Sequence, residues 1–105
     1  MRKLKASEIF KILKKINIPV SYQSFKNEQN LPYIIFVQSG SNNFGADSKV
    51  YKKDNKYNIE LYFEDKNFEL EEKLENLLDE NDIYWTKSAD IRIESENMTE
   101  VIYYI

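Results

Sequence analysis

Apolar residues recur at Ile9, Ile12, Leu13 and Ile16, a helical spacing that predicts an amphipathic helix over residues 7–16. Ser7 is placed to cap it, Lys11, Lys14 and Lys15 lie on its wet side, and Asn17 followed by Pro19 ends it. A short strand over residues 20–25 and a polar turn, KNEQN, come next. Residues 33–38, YIIFVQ, carry apolar groups on both faces, as a central strand does. One of those faces can meet helices; the other needs a second layer or another subunit. In residues 57–63, Tyr57, Ile59, Leu61 and Phe63 alternate with Asn58, Glu60 and Tyr62, which predicts a strand with one buried face. A second helix is expected over residues 67–80, capped by Asn67 or Asp65, with Leu70, Leu74, Leu77 and Leu78 as its apolar stripe. Two strands close the chain: residues 83–87 running on to 90–94 past a bulge near Ser88 and Ala89, then residues 98–105.

The stretch SGSNNFGADS, residues 39–48, holds both glycines and an isolated phenylalanine. It is too long for a tight hairpin and predicts a protruding, partner-binding loop, with Asn42, Asn43, Phe44 and Asp47 as its contact residues. Phe44 is its apolar anchor, and Gly40 and Gly45 allow it to reshape. A strand at residues 49–52 and a turn at 53–56 lead into the alternating strand. The predicted order is α-β-β-β-β-α-β-β. It describes one α+β domain of 105 residues, a mainly antiparallel sheet with two helices packed on it.

Composition then removes most site chemistry. The chain has no histidine and no cysteine, so histidine-based triads, thiol nucleophiles, disulfides and the common zinc sites are all excluded. Two glycines cannot build a phosphate-binding loop, and Asn42, Asn43 and Asp47 lack calcium-loop spacing. Glu60, Glu64, Asp65 and Glu94 read as solvated carboxylates rather than an acid/base pair. An acidic chain whose strand aromatics match no RNA-binding motif is a poor nucleic-acid ligand; only residues 2–15 are basic enough to meet phosphate. No apolar run approaches the roughly 18 residues of a membrane span. The expectation is a soluble, unexported protein that is not an enzyme, with no catalytic residue, cofactor, metal or membrane partner.

Charge is segregated along the chain. Residues 1–25 carry six basic side chains against one acid, whereas residues 64–82 carry nine acids against two lysines. Such separation favours head-to-tail contact between copies. The expected subunit interface sets Lys11, Lys14 and Lys15 of one copy against Glu71, Glu75 and Asp79 of the next. Eight tyrosines, broad apolar rings with polar tips, also favour an oligomer.

One further reading comes from likeness. The PYI strand, the SNNFGAD loop, the KVY strand, the strand YNIELY and the acidic helix ELEEKLE resemble short proteins encoded in tailed phages and prophages of low-GC Gram-positive bacteria. The segment IESENM and the final VIYY continue the likeness. These proteins are similar to tail-terminator, or tail-completion, proteins. The resemblance implies a ring, hexameric when assembled, that caps the tail tube and joins it to the head. Its partners would be other copies, the tail-tube protein and the head–tail connector, first in the host cytoplasm and then in the virion tail. A head–tail connector or tail-assembly chaperone is the alternative role, and a stand-alone ferredoxin-like binding module is the alternative class.

Overall fold

A computed structural model of the chain describes residues 4–41, 43–46, 49–52 and 54–105, with residues 44–46 and 49–52 described by backbone alone. It is an α+β fold: two helices on one face of a six-stranded, mostly antiparallel sheet. Helix α1 spans Ala6–Leu13 and tightens into a 3-10 turn over Lys14–Ile16. Strand β1 is Val20–Tyr22, β2 is Tyr33–Ser41, β3 is Phe44–Ala46, β4 is Lys49–Lys52 and β5 is Asn55–Phe63. Helix α2 is Phe68–Glu80, and strands β6, Thr86–Lys87, β7, Ile91–Ile93, and β8, Met98–Tyr104, complete the chain.

The sheet order is β1-β2-β5-β8, with both β6 and β7 on the outer edge of β8. Only β1 and β2 run parallel. Strand β5 lies at the centre, antiparallel to β2 on one side and to β8 on the other, with Ile59 opposite Phe36 and Tyr103. The edges are short: three residues in β1, and the broken pair β6 and β7. Short, interrupted edges offer little template for further strand pairing. The break is built by Ser88, whose N–H donates to the Ile102 carbonyl while its hydroxyl accepts the Ile102 N–H at 2.9 Å.

Alternation places Ile34 and Phe36 of β2, Tyr57, Ile59, Leu61 and Phe63 of β5, and Val101 and Tyr103 of β8 on one buried face. Ile9, Ile12, Leu13 and Ile16 from the first helical segment and Leu74 and Leu78 from α2 join the same core. Full burial of each such side chain stabilises the fold by about 1.5–3 kcal/mol. Asn17, at φ 64°, leaves the helical turn in the left-handed conformation that asparagine tolerates. Asn67 caps α2 by accepting the Leu70 N–H at 3.1 Å.

Several boundaries differ from the sequence expectation. Lys5, not Ser7, occupies the N-cap of α1 and makes no side-chain cap bond. The helix starts one residue before Ser7, which lies within its first turn. Strand β1 stops at Tyr22 because Gln23 turns the chain at φ 70°. Residues 83–85 are not strand, and the expected single run to residue 94 is two short strands.

The largest change concerns residues 39–48. Strand β2 continues through Ser41, and β3 pairs with β4, so the expected loop is largely strand. Strand β4 therefore does not form a hairpin with β5. Ser41 faces Asn55 directly, making β2–β5 a long hairpin whose tip carries a second, two-stranded ribbon, β3–β4. Gly40, at φ 156°, sits where the β2–β5 register shifts, a conformation that L side chains rarely adopt.

The two faces of the sheet differ in energetic weight, and paired truncations measure the difference. Leu74→Ala, at a fully buried site, is expected to cost about 3 kcal/mol in urea unfolding, whereas Val37→Ala on the opposite face costs less than about 1 kcal/mol.

Candidate functional site

Helices cover one face of the sheet, and the other presents a regular grid of side chains. Cross-strand register sets Tyr33, Tyr62 and Glu100 in one row, Ile35, Glu60 and Ile102 in the next, and Val37, Asn58 and Tyr104 in a third. All are half-buried except Tyr104, which is 43% exposed. Tyr33 and Tyr62 pack at 5.1 Å between ring centroids, and Phe25 meets Tyr33 edge-on at 5.4 Å. Such pairs add about 0.5–1.5 kcal/mol to simple burial and stiffen the surface that they form.

Two carboxylates stand within this aromatic and aliphatic field. The Tyr62 hydroxyl donates to Glu60 Oε1 at 2.9 Å. Partial burial pushes the Glu60 carboxyl above its ordinary range, against the hydrogen bond from Tyr62, and the nearby Glu100 charge pushes the same way. Burial, then hydrogen bonding to Glu100 and Glu60, keeps the Tyr62 phenol neutral far above its usual range. Among the described residues no lysine or arginine forms an ion pair with Glu60 or Glu100. Among the described residues the face thus holds carboxylates with no ion-pair partner.

At one end the face deepens into a cleft of about 520 Å³ beneath the segment that links β1 to β2. Phe25, Tyr33, Ile35 and Met98 supply its apolar lining, and Glu28, Glu64 and Glu96 its carboxylates. Among the described residues no group of three or more histidine, cysteine, aspartate or glutamate side chains could hold a metal ion. No helix among them is long and apolar enough to cross a membrane.

The acidic side chains expected on a subunit interface occupy different surroundings. Glu71 is 3% exposed and pairs with Lys66 at 2.7 Å and with Lys87 at 3.5 Å. Glu75 accepts Lys87 Nζ at 2.8 Å and the Tyr103 hydroxyl at 2.7 Å. Asp79 accepts the Trp85 Nε1–H at 2.8 Å. Lys66 also reaches Asp90 at 2.7 Å. These contacts tie α2 to β6, β8 and the connection before β7. The helix also packs beside α1 of its own chain. Glu71 was missed as an interior residue, although it lies three residues before Leu74 and seven before Leu78, on the same helical stripe.

The basic residues fit the expectation of a wet surface. Lys11, Lys14 and Lys15 are exposed on the first helical segment, with Lys14 Nζ 5.6 Å from the centre of the Phe10 ring. Phe10 is itself 38% exposed and stacks on Phe36 at 6.4 Å. In the expected contact loop, Asn43 Oδ1 accepts the Asp54 N–H at 3.3 Å and Phe44 begins β3. Asn42 and Asp47 lie outside the described residues.

Both charge systems are measurable by titration. For Lys87, the hydrogen bond to Glu75 outweighs burial and raises the pKa above 10.5; for Lys66, burial lowers it, but Asp90 and Glu71 together raise it further. Tyr103 is likewise raised above 10.0, by burial and then by its bond to Glu75. A raised folded-state pKa gives stability that is complete below the unfolded value and lost as pH climbs through the folded one. The melting temperature should therefore fall above about pH 10, and less steeply in Lys87→Met. Glu60, raised from 4.5, has the opposite effect at neutrality, because its ionisation opposes folding. Glu60→Gln should be more stable than the parent at pH 7, with the advantage vanishing below about pH 4.5 in parallel melts.

No protein-family model and no curated protein matches the chain, so the surfaces themselves carry the functional argument.

Proposed function

We propose that this chain is a structural subunit of a tailed-phage virion, a tail-completion protein that works through surface complementarity. It would cap the tail tube as a ring, the six-membered ring that the resemblance implies, and present the tail to the head. The observation that carries a contact function is the helix-free sheet face, where tyrosines, aliphatics and two carboxylates share one half-buried surface. Antiparallel sheets commonly leave one face to water, but this one carries aromatic and aliphatic side chains where a wet face is usually polar. The assignment to tails rests on the resemblance carried by the PYI, SNNFGAD, YNIELY and ELEEKLE segments.

The β3–β4 ribbon gives that reading a second contact element. It extends from the tip of the β2–β5 hairpin, and the molecule measures 50 × 28 × 26 Å. A ribbon of this kind can reach a tail tube or a neighbour while the sheet and helices stay rigid. Other copies, the tail-tube protein and the connector are the partners, met in the host cytoplasm and retained in the virion. Membranes and nucleic acid have no part in this mechanism.

Loss of the gene in a phage that carries it should give overlong tails by electron microscopy. Normal tails detached from heads would instead indicate a connector, and normal virions would refute an assembly role. Ser41 and Asn55 are direct partners, so residues 42–54 can be replaced by a two-residue Asn-Gly turn that preserves the β2–β5 register. The shortened protein should keep its circular dichroism spectrum and cooperative unfolding yet fail to complete tails. Wild-type tail yield from this variant would eliminate the ribbon as a contact element.

A further inference from the structure

The α2 acids expected to face a neighbour are in part engaged inside the molecule. Glu71 and Glu75 hold Lys66, Lys87 and Tyr103, and Asp79 holds Trp85. The basic side of the first helical segment has no such internal counterpart: among the described ion pairs none involves Lys11, Lys14 or Lys15. Phe10, an exposed ring stacked on Phe36, has Lys14 Nζ over it and Lys11 as its neighbour in the chain. An aromatic anchor flanked by cations calls for an apolar recess edged with anions.

The open sheet face is that recess. Its cleft has an apolar lining, and Glu96 stands beside it while Glu60 and Glu100 lie on the adjoining rows. We propose that the face receives α1 of a second copy of this chain, with Phe10 entering the cleft and Lys11 and Lys14 meeting Glu96, Glu100 and Glu60. The proposal rests on the assembly reading above and names the surfaces through which copies join.

Charge and placement both favour this occupant. Among the described residues Phe68 is also an exposed aromatic with a cation beside it, but it opens α2, where Glu69 and Glu72 are exposed and would be repelled by the carboxylates on the face. The first helical segment carries three lysines against one acid, Glu8. It packs against the buried side of the sheet, whereas the recess lies on the opposite side. Donor and acceptor surfaces are therefore different patches on opposite sides of one molecule. The contact is head-to-tail, the kind that propagates and closes into a ring where the rotation allows. A neighbour's ammonium groups would also relieve the unfavourable ionisation of Glu60 in the free subunit.

Two charge-reversed variants of the full chain test the contact. One carries Lys11→Glu and Lys14→Glu, and the other Glu96→Lys and Glu100→Lys. Circular dichroism melts establish that each is folded, and Phe10→Ala serves as an uncharged third variant should a reversal prevent folding. At about 20 mM salt, where charges are little screened, the parent should self-associate in sedimentation velocity with Kd no weaker than about 0.1 mM. Each reversed variant alone should associate at least about tenfold more weakly, since like charges then face each other. An equimolar mixture should recover association, because acidic α1 then meets a basic face and basic α1 an acidic one.

A parent that stays monomeric at these concentrations overturns the proposal, as does a folded mixture that remains dissociated or a folded Phe10→Ala that associates like the parent. Loss of tail completion on reversing the face but not α1 would assign the face to a different partner and overturn the second-copy contact. Overlong tails in the gene deletion beside any of these results would leave the assembly reading standing, and so would normal tails detached from heads; normal virions would remove that reading whatever the sedimentation shows.

Discussion

A sheet has two faces, and this chain supplies helices for one. Strands β2, β5 and β8 alternate so that Ile34, Phe36, Ile59, Leu61, Val101 and Tyr103 leave water completely beneath α1 and α2. The side chains between them then point to the other side. There they can be neither fully polar, because cross-strand pairs of aromatic and branched residues hold a sheet together, nor fully apolar without inviting aggregation. Tyr33, Ile35, Val37, Tyr62 and Ile102 with Glu60 and Glu100 answer both demands. The same mixture leaves the face half-buried and part apolar, part acidic.

The covered face depends on charge as well as on packing. Glu71 occupies a position on α2 that geometry turns inward, and an unpaired carboxylate there would oppose folding. Lys66, just before the helix, and Lys87, across from it on β6, both reach it. Glu75 extends the system to the Tyr103 hydroxyl, whose ring is wholly buried and meets Trp85 at 5.6 Å. This network binds the sheet's broken outer edge to α2. It also engages Glu71 and Glu75 within the molecule, while Glu69, Glu72 and Glu80 of the same helix stay exposed.

The β3–β4 ribbon has a different physical basis. Strand β2 outlasts its buried portion: from Gln38 onward its residues are exposed, and the register shifts beside Gly40. Backbone pairing to Asn55 and Lys56 carries the hairpin beyond the core, where a second pairing, β3 with β4, continues it. Hydrogen-bonded ribbon is a low-cost way to project chain away from a domain, because it satisfies the backbone groups that an irregular excursion would leave to water.

Periodicity alone determined the α+β class, both helices, the strand over residues 33–38 and the alternating strand over 57–63, and it narrowed the α2 cap to Asn67 or Asp65, because each depends on contacts within a few residues. It also marked residues 33–38 as apolar on both sides, and so the need for something to lie against each. What it could not determine was partnership. That β5 pairs with β2 and β8 rather than β4, that residues 44–46 pair back on β4, and that Glu71 meets Lys66 and Lys87 are relations between distant positions. A run such as SNNFGAD has turn-forming composition whether or not a strand waits beside it. A glutamate on a leucine stripe looks solvated until two lysines converge on it. Those choices belong to the tertiary structure, where burial and pairing outweigh local preference by several kcal/mol.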